Sequence, residues 1–303
     1  MAKVFPDERN GDDRVEPEGA RSREDEFAMT RSIETGTDQL LAELDEGVAT
    51  LTLNRPEVRN ALGDVISPAL RRTIAAVAED PEVRCVVITG AGSAFCSGGD
   101  VKGMGERKKP RADAPTTLAD VVADQTERQL QLTGALYAMA KPTLAVLPGP
   151  AAGAGLAIAL ACDLRIASES AFVTTGFVNV GLSGDYGVSY FLTQLVGTAK
   201  ARELFYTGAR VPARECEALG IVNRAVPDDR LREEAHALAH RLAAGPTLAY
   251  ALMKQNLDRA LREDLPTCLA HEARGTAVSI QTEDHREAVR AFVDKRKPEF
   301  KGR

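Results

Sequence analysis

An unbroken apolar run at residues 143–147 (TLAVL) leads straight into PGPAAGAG at 148–155, and then into a small-residue segment at 156–162. Four consecutive apolar residues after a β-branched Thr fit a strand buried on both faces. The prolines and glycines forbid the strand from continuing. The small-residue segment beyond them has the character of a helix. A buried strand that turns sharply into a helix belongs to a layered α/β fold, where helices cover the faces of a sheet.

The pattern recurs. Residues 84–89 (RCVVIT) form a second short apolar run, followed by a Gly-rich loop from Gly90 and then by AFCSGGDVK at 94–102. Residues 47–54 (GVATLTLN) alternate and are rich in β-branched types, which predicts a further strand. Shorter strands are predicted at 163–166, 171–173 and 221–226. Amphipathic spacing predicts helices at 68–79 and 118–139. From Tyr186 onward the chain reads as mostly helical, and residues 246–292 read as a separate helical layer. The basic, Pro-containing stretch 103–116 reads as a loop.

The acidic surplus of the chain sits at one end. Net charge is −6, and residues 1–38 contribute −5 of it. Residues 1–37 have few apolar positions and no periodicity. They read as a disordered acidic extension, with no apolar core of a secretory signal and too much acid for an Arg-rich transit peptide. The division expected is therefore 1–37 extension, 38–245 core and 246–303 helical region. An acidic chain with 5% aromatics and no Trp lacks both the basic surface and the stacking platforms of nucleic-acid binders. No run of about 18 apolar residues predicts a membrane span. Five scattered cysteines without C-x-x-C spacing fit reduced thiols in the cytoplasm and no disulfide or zinc framework.

Several chemistries find no support. There is no P-loop motif, and Gly153-Ala154-Gly155 lacks the third glycine of a dinucleotide fingerprint, Ile158 standing in its place. His236 and His240 share a helix face, but HALAH lacks the glutamate of H-E-x-x-H and reads as a solvated face, so no metal site is expected. Ser183 in GLSG does not fit a nucleophile elbow. The two glycine-rich turns remain. Small residues let backbone N–H groups approach a ligand, and the unpaired N–H groups of a helix start attract negative charge. Two such turns side by side would make a two-donor oxyanion hole, although a small-residue turn taken alone is usually just tight packing.

Taken together, LTLNRPEVRNAL (51–62), VVITGAGSAFCSGGDVKGM (86–104), KPTLAVLPGPAAGAGLAIALACDLRIASESAFV (141–173), VGTAKARELFYTGARVPARECEALGIVNRAVP (196–227) and AFVDKRKPEFKGR (291–303) resemble the crotonase superfamily, the enoyl-CoA hydratase/isomerase family. The resemblance runs in order from about residue 38 to the end. It implies an α/β spiral of strand–strand–helix units with a C-terminal helical trimerisation region, assembled as a homotrimer or homohexamer. It implies acyl-CoA thioesters as substrates, with coenzyme A part of the substrate and no permanently bound cofactor. By position, Gly99 and Ala154 match the two oxyanion-hole donors. Arg59, Ala61, Ala94 and Lys102 match the residues along which CoA lies, and Phe292 and Lys295 match those that touch CoA from the partner subunit. Arg59 and Lys102 also fit plain surface charge, and Asp100 fits an N-cap.

The chain departs from the hydratases of that family at both catalytic glutamates. Ala157 and Phe177 stand where those enzymes carry Glu, and neither transfers a proton. Asp185, in VNVGLSGDYG (178–187), matches an Asp of family isomerases. One carboxylate can remove a proton at one carbon and return it at another. Tyr186 and Tyr190 are candidate relays, and a turn aspartate bonded to its own backbone is the plain alternative. The expectation is thus double-bond isomerisation by enolate stabilisation. The alternatives are a hydratase with a non-standard acid/base set or a catalytically silent acyl-CoA binder. A Clp-type peptidase, which shares the spiral, is disfavoured because every histidine lies in the C-terminal helical part.

Overall fold

The computed structural model describes residues 30–100 and 117–303. Its main sheet has the order β1-β2-β3-β4-β5-β7-β10. The strands are β1 (Arg31–Ser32), β2 (Leu40–Asp45), β3 (Val48–Leu53), β4 (Cys85–Gly90), β5 (Thr143–Leu147), β7 (Leu164–Ser168) and β10 (Arg224–Val226). From β3 to β10 the pairing is parallel, and β1 and β2 join as an antiparallel edge. A smaller sheet holds β6 (Ala151–Ala152), β8 (Phe172–Thr174) and β9 (Val211–Pro212) in the order β6-β8-β9.

Alternation along the strands divides the interior. Val86 and Ile88 of β4 and Ala145 and Leu147 of β5 point into the larger core. Over them lie α1 (Ile66–Glu79) and α4 (Ala154–Ala161). Cys85, Val87, Leu144 and Val146 point the other way, into a second core closed by Leu231, Ala235, Leu238 and Ala239 of α7 (Leu231–Ala243). A parallel sheet covered on both faces is what uninterrupted apolar strands require.

Helix α2 (Leu118–Gln129) starts with a Thr117–Asp120 capping box, passes through a π-helical segment at Leu130–Gly134 and ends in the short α3 (Ala135–Ala138). The single long helix expected there is thus interrupted. Helix α5 (Val188–Thr207) is bent at Gly197, whose φ is 74°, and α6 (Ala213–Ala218) follows β9. The strand expected over 221–226 begins only at Arg224. Ile221 and Val222 instead donate their N–H groups to the Cys216 carbonyl, ending α6.

The C-terminal layer consists of α8 (Thr247–Ala260), α9 (Leu265–Ile280) and α10 (Glu283–Val293). The tail returns to the body. Asp284 accepts the N–H groups of Lys301 (2.6 Å) and Gly302 (2.9 Å), while Arg84 donates to the carbonyls of Phe300 (2.8 Å) and Gly245 (2.5 Å). Residues 30–37, counted with the extension in the sequence, supply β1. Arg31 pairs with Asp80 and Glu82 at 2.9 and 2.8 Å. Among the described residues no helix is long and apolar enough to cross a membrane. The expected loop at 103–116 lies outside the described residues.

Candidate active site

The two glycine-rich turns lie side by side. Phe95 and Cys96 both donate to the Pro150 carbonyl, at 3.1 and 3.2 Å, and Ala152 donates to the Cys96 carbonyl at 2.9 Å. Glycine is needed for this approach. A methyl group at Gly149 would sit 2.0 Å from the Ser93 carbonyl oxygen, and one at Gly155 would sit 2.4 Å from that of Cys96. No real side chain fits at those distances. At Gly98 the same test gives 2.8 Å to the Ala152 oxygen and 3.5 Å to the Ala154 nitrogen. The sequence-predicted donors Gly99 and Ala154 are therefore on neighbouring backbone.

Neither N–H has a backbone acceptor among the described residues. Leu62 bridges to the residues on either side of Gly99, donating to the Gly98 carbonyl (2.8 Å) and accepting from the Asp100 N–H (2.9 Å). Among the described residues the Gly99 N–H finds no backbone acceptor. Ala154 is the first residue of α4, where N–H groups have no intrahelical partner. Gly153 ahead of it has φ 52° and ψ −124°, a conformation open to glycine alone. That turn aims the helix start, with its partial positive charge.

A residue with no signal in the sequence fixes the first turn. Asn60 is fully buried. Its Oδ1 accepts the Arg55 N–H at 2.9 Å, and its Nδ2 donates to the carbonyls of Ala91 (3.0 Å) and Ala94 (2.8 Å). Its own carbonyl accepts from the Cys96 thiol. The predicted CoA residues gather around it. Arg59 is exposed, and its carbonyl accepts the Ser97 N–H at 2.9 Å. Ala61 and Ala94 are buried, and the Ala61 carbonyl accepts from Arg55 Nη1 at 2.6 Å. Arg55 also lies 3.5 Å from Asp100. Lys102 lies outside the described residues. Phe292 is 85% exposed on α10 and Lys295 is exposed just beyond it, so within one chain they stand on the outer helical layer.

The turn that carries Asp185 meets the second glycine-rich turn through Phe177. The Phe177 ring lies 3.7 Å from where a Gly153 side chain would begin and 3.8 Å from the equivalent point at Gly184. It stacks on Phe205 with centroids 6.2 Å apart. Phe177 and Ala157 are both buried. Asp185 lies in a tight turn in which Gly184, Tyr186 and Gly187 all have positive φ. Its carbonyl accepts the Val188 N–H, but Oδ1 is buried without a hydrogen-bond partner among the described residues. A turn aspartate would bond its own backbone; this oxygen does not. Burial pushes the Asp185 carboxyl above the usual carboxylate range.

The candidate relays differ. Tyr186 packs against the main core, and its phenol is pushed up first by burial and then by the Asp185 charge. Its backbone N–H donates to Gln129 Oε1 at 2.8 Å, which ties the Asp185 turn to the end of α2. Tyr190 is largely exposed, and its hydroxyl lies 3.4 Å from that of Tyr137, which accepts from Arg262 at 3.0 Å. Gln129, like Asn60, carried no signal in the sequence, because its partner is 57 residues away.

Known proteins share this outline. A family model described as enoyl-CoA hydratase/isomerase matches residues 43–303. A Rhodobacter capsulatus protein named "probable enoyl-CoA hydratase" is 39% identical over 263 residues, covering 86% of this chain and 97% of that protein. The 1,2-epoxyphenylacetyl-CoA isomerase of Escherichia coli is 34% identical, covering 87% and 98%. The crystal structure of an enoyl-CoA hydratase from Polaromonas sp. JS666 is 33% identical, covers 86% of this chain and 99% of that one, and superposes with a TM-score of 0.78. The α/β fold and its C-terminal helices are those of these proteins.

Proposed function

Because the chain belongs to the enoyl-CoA hydratase/isomerase family, whose chemistry is on acyl-CoA thioesters, we propose that it moves a double bond in an acyl-CoA by way of an enolate. The Gly99 and Ala154 N–H groups receive the thioester oxygen. Asp185 takes a proton from one carbon of the acyl chain, and negative charge passes to that oxygen. The same carboxyl then returns the proton at another carbon, and the thioester carbonyl re-forms. Each backbone donor of this kind is worth about 2.7–4 kcal/mol of barrier.

The observation that carries the reading is the buried Oδ1 of Asp185, unpartnered among the described residues and next in sequence to Gly184, which the Phe177 ring joins to Gly153. An acid of raised pKa with a free oxygen suits proton transfer near neutral pH. Hydration asks more, since a second group must activate water, and Ala157 and Phe177 supply none. We place CoA along Arg59, Ala61, Ala94 and Lys102, with Phe292 and Lys295 of the partner subunit closing over it. Residues 246–303 serve assembly into a trimer or a dimer of trimers. Met253, Leu257, Leu261, Leu265 and Leu269 give them the exposed apolar surface for it. Five free thiols suit work in the cytoplasm.

The test is a panel of enoyl-, dienoyl- and aryl-CoA thioesters, with products followed by mass and double-bond position. Isomerisation leaves mass unchanged and moves the double bond. A product heavier by one water makes the chain a hydratase with a non-standard acid/base set. The loss of both hydratase glutamates specifically favours one second reading, a silent acyl-CoA binder. It predicts thioester binding without solvent-deuterium exchange beside the carbonyl. Asp185→Asn separates the cases further: turnover falls by about 10²–10⁴ while thioester affinity holds.

A further inference from the structure

On the face of the sheet opposite α4, two histidines and two carboxylates meet at the edge of a cleft. His236 and His240 are one turn apart on α7, and their ring centroids are 4.0 Å apart. Facing them is the β2–β3 hairpin, closed by the Asp45–Val48 pair. Its two turn residues, Glu46 and Gly47, have φ of 44° and 81°. That left-handed turn, usually built from Asn-Gly or Asp-Gly, sets Asp45 and Glu46 beside the helix. His240 Nε2 lies 3.8 Å from Asp45 Oδ2, and its Nδ1 lies 3.3 Å from Glu46 Oε2. One donor atom each from Asp45, His236 and His240 falls within 4.8 Å of the others.

We propose that Asp45, His236 and His240 bind a divalent transition-metal ion of the zinc class, with Glu46 as the residue that orients His240. Two imidazoles and a carboxylate, completed by water, are a four-coordinate zinc set. Nitrogen donors select against Mg²⁺ and Ca²⁺, which prefer oxygen. Donor atoms around tetrahedral zinc sit about 3.4 Å apart, so the gap left is at most about 1.4 Å, within reach of side-chain rotations. His236 is exposed and free to make one.

Three features favour a metal over a simple ion pair. Both nitrogens of His240 lie near carboxylates, Nε2 toward Asp45 and Nδ1 toward Glu46, so an ion bound at Nε2 would leave the Nδ1–H directed at Glu46. That is the arrangement of a metal-bound histidine with its supporting acid. The carboxylate contacts are those of His240, and among the described residues His236 lies against it with no carboxylate contact of its own; an ion bound by both gives that proximity a use. The backbones are also held in advance, since α7 and β3 share the second core through Val48, Leu231, Ala235 and Ala239. The cleft beside the cluster, about 640 Å³, is lined further by Thr50, Thr89 and Arg232 and leaves the site open to entry. Bound there, the ion clips the first hairpin to the helix closing the core, on the opposite side of the sheet from Ala154.

The test uses the full chain without an affinity tag, stripped with EDTA and titrated with ZnCl₂ by calorimetry and by thermal melting. One zinc per chain is expected, with a melting temperature that rises with ZnCl₂ and not with MgCl₂. His236→Ala removes the saturable uptake, and because this side chain is exposed the variant folds. Glu46→Gln keeps the stoichiometry and weakens affinity by about tenfold or more. Equal zinc uptake by the parent and His236→Ala overturns the site, and so does an unchanged melting temperature. Unaltered affinity in Glu46→Gln overturns the orienting role.

Discussion

Replacing Asn60 by alanine removes all three bonds that its side chain makes to the first glycine-rich turn and the chain before it. Three partners lose their bond: the Arg55 N–H and the carbonyls of Ala91 and Ala94. At about 1 kcal/mol for each, the loss is about 3 kcal/mol. Asn60 also has φ 57°, a conformation asparagine tolerates and alanine resists by about 1 kcal/mol. The expected destabilisation is thus about 4 kcal/mol, or about 8 °C in Tm for a chain of this size. Gly99 follows directly on the disturbed turn, so kcat/KM falls with it, by as much as the 10²–10³ of one lost donor. Urea unfolding followed by circular dichroism measures the first quantity, and thioester turnover the second. Two companions separate the contributions. Asn60→Gly relieves the backbone strain and recovers up to about 1 kcal/mol. Asn60→Asp keeps the acceptor but sets a carboxylate against two carbonyl oxygens, and is worse than alanine. A loss below about 1 kcal/mol in Asn60→Ala, or an aspartate variant more stable than the alanine one, refutes the reasoning.

Asp185→Asn is expected to stabilise the fold while it removes activity. Burial raises the folded-state pKa of this carboxyl, so its contribution is fully present in acid and lost as pH rises through the folded value. The melting temperature of the variant therefore exceeds that of the parent by more at pH 8 than at pH 5, and a gap that shrinks with pH contradicts the assignment. Gly155→Ala drives a methyl group to within 2.4 Å of the Cys96 oxygen and 2.8 Å of its sulfur. It is expected to part the two turns and lower kcat/KM about 10²–10³-fold; a change under threefold means the hole tolerates the shift. Burial pushes the thiols of Cys85, Cys96, Cys162 and Cys216 up to about 12, whereas Cys268 is partly exposed. Iodoacetamide at pH 8 should modify Cys268 alone in the native chain and all five thiols in denaturant, as read by mass spectrometry.

The elements legible in the sequence were those whose signal is local. Strand β5 runs over Thr143–Leu147 as expected, because prolines bound an apolar run on both sides. Strand β2 was not legible. Its LLAELD alternates, with Leu40, Ala42 and Leu44 inward, but Leu, Ala and Glu are helix formers, and only pairing with β3 makes them a strand. The candidate site divides in the same way. Gly99 and Ala154 stood out because close backbone approach demands small residues in a row. Asn60 and Gln129 did not, since their partners are up to 34 and 57 residues away. The histidine pair on α7 read as a solvated face because Asp45 and Glu46 come from the far end of the core.

The two departures from the hydratase pattern and the surviving acid form one arrangement. A glutamate at position 177 would place a second carboxylate where Phe177 now spans from Gly153 to Gly184. Like charges that close raise one pKa at the expense of the other and divide the work of acid and base. With Phe177 and Phe205 packed against neighbouring Gly184, the Asp185 carboxyl meets no charge that shifts it, and burial alone raises its pKa. On the proposed reading, the residues that leave no group to activate water at 157 and 177 go together with a buried carboxyl of raised pKa. They also supply an apolar wall against which an acyl chain can lie. Restoring glutamate at 177 alone would therefore not yield a hydratase. The new carboxylate would be buried without its partner at 157, the aromatic stack on Phe205 would be lost, and Asp185 would be pushed further toward its protonated form.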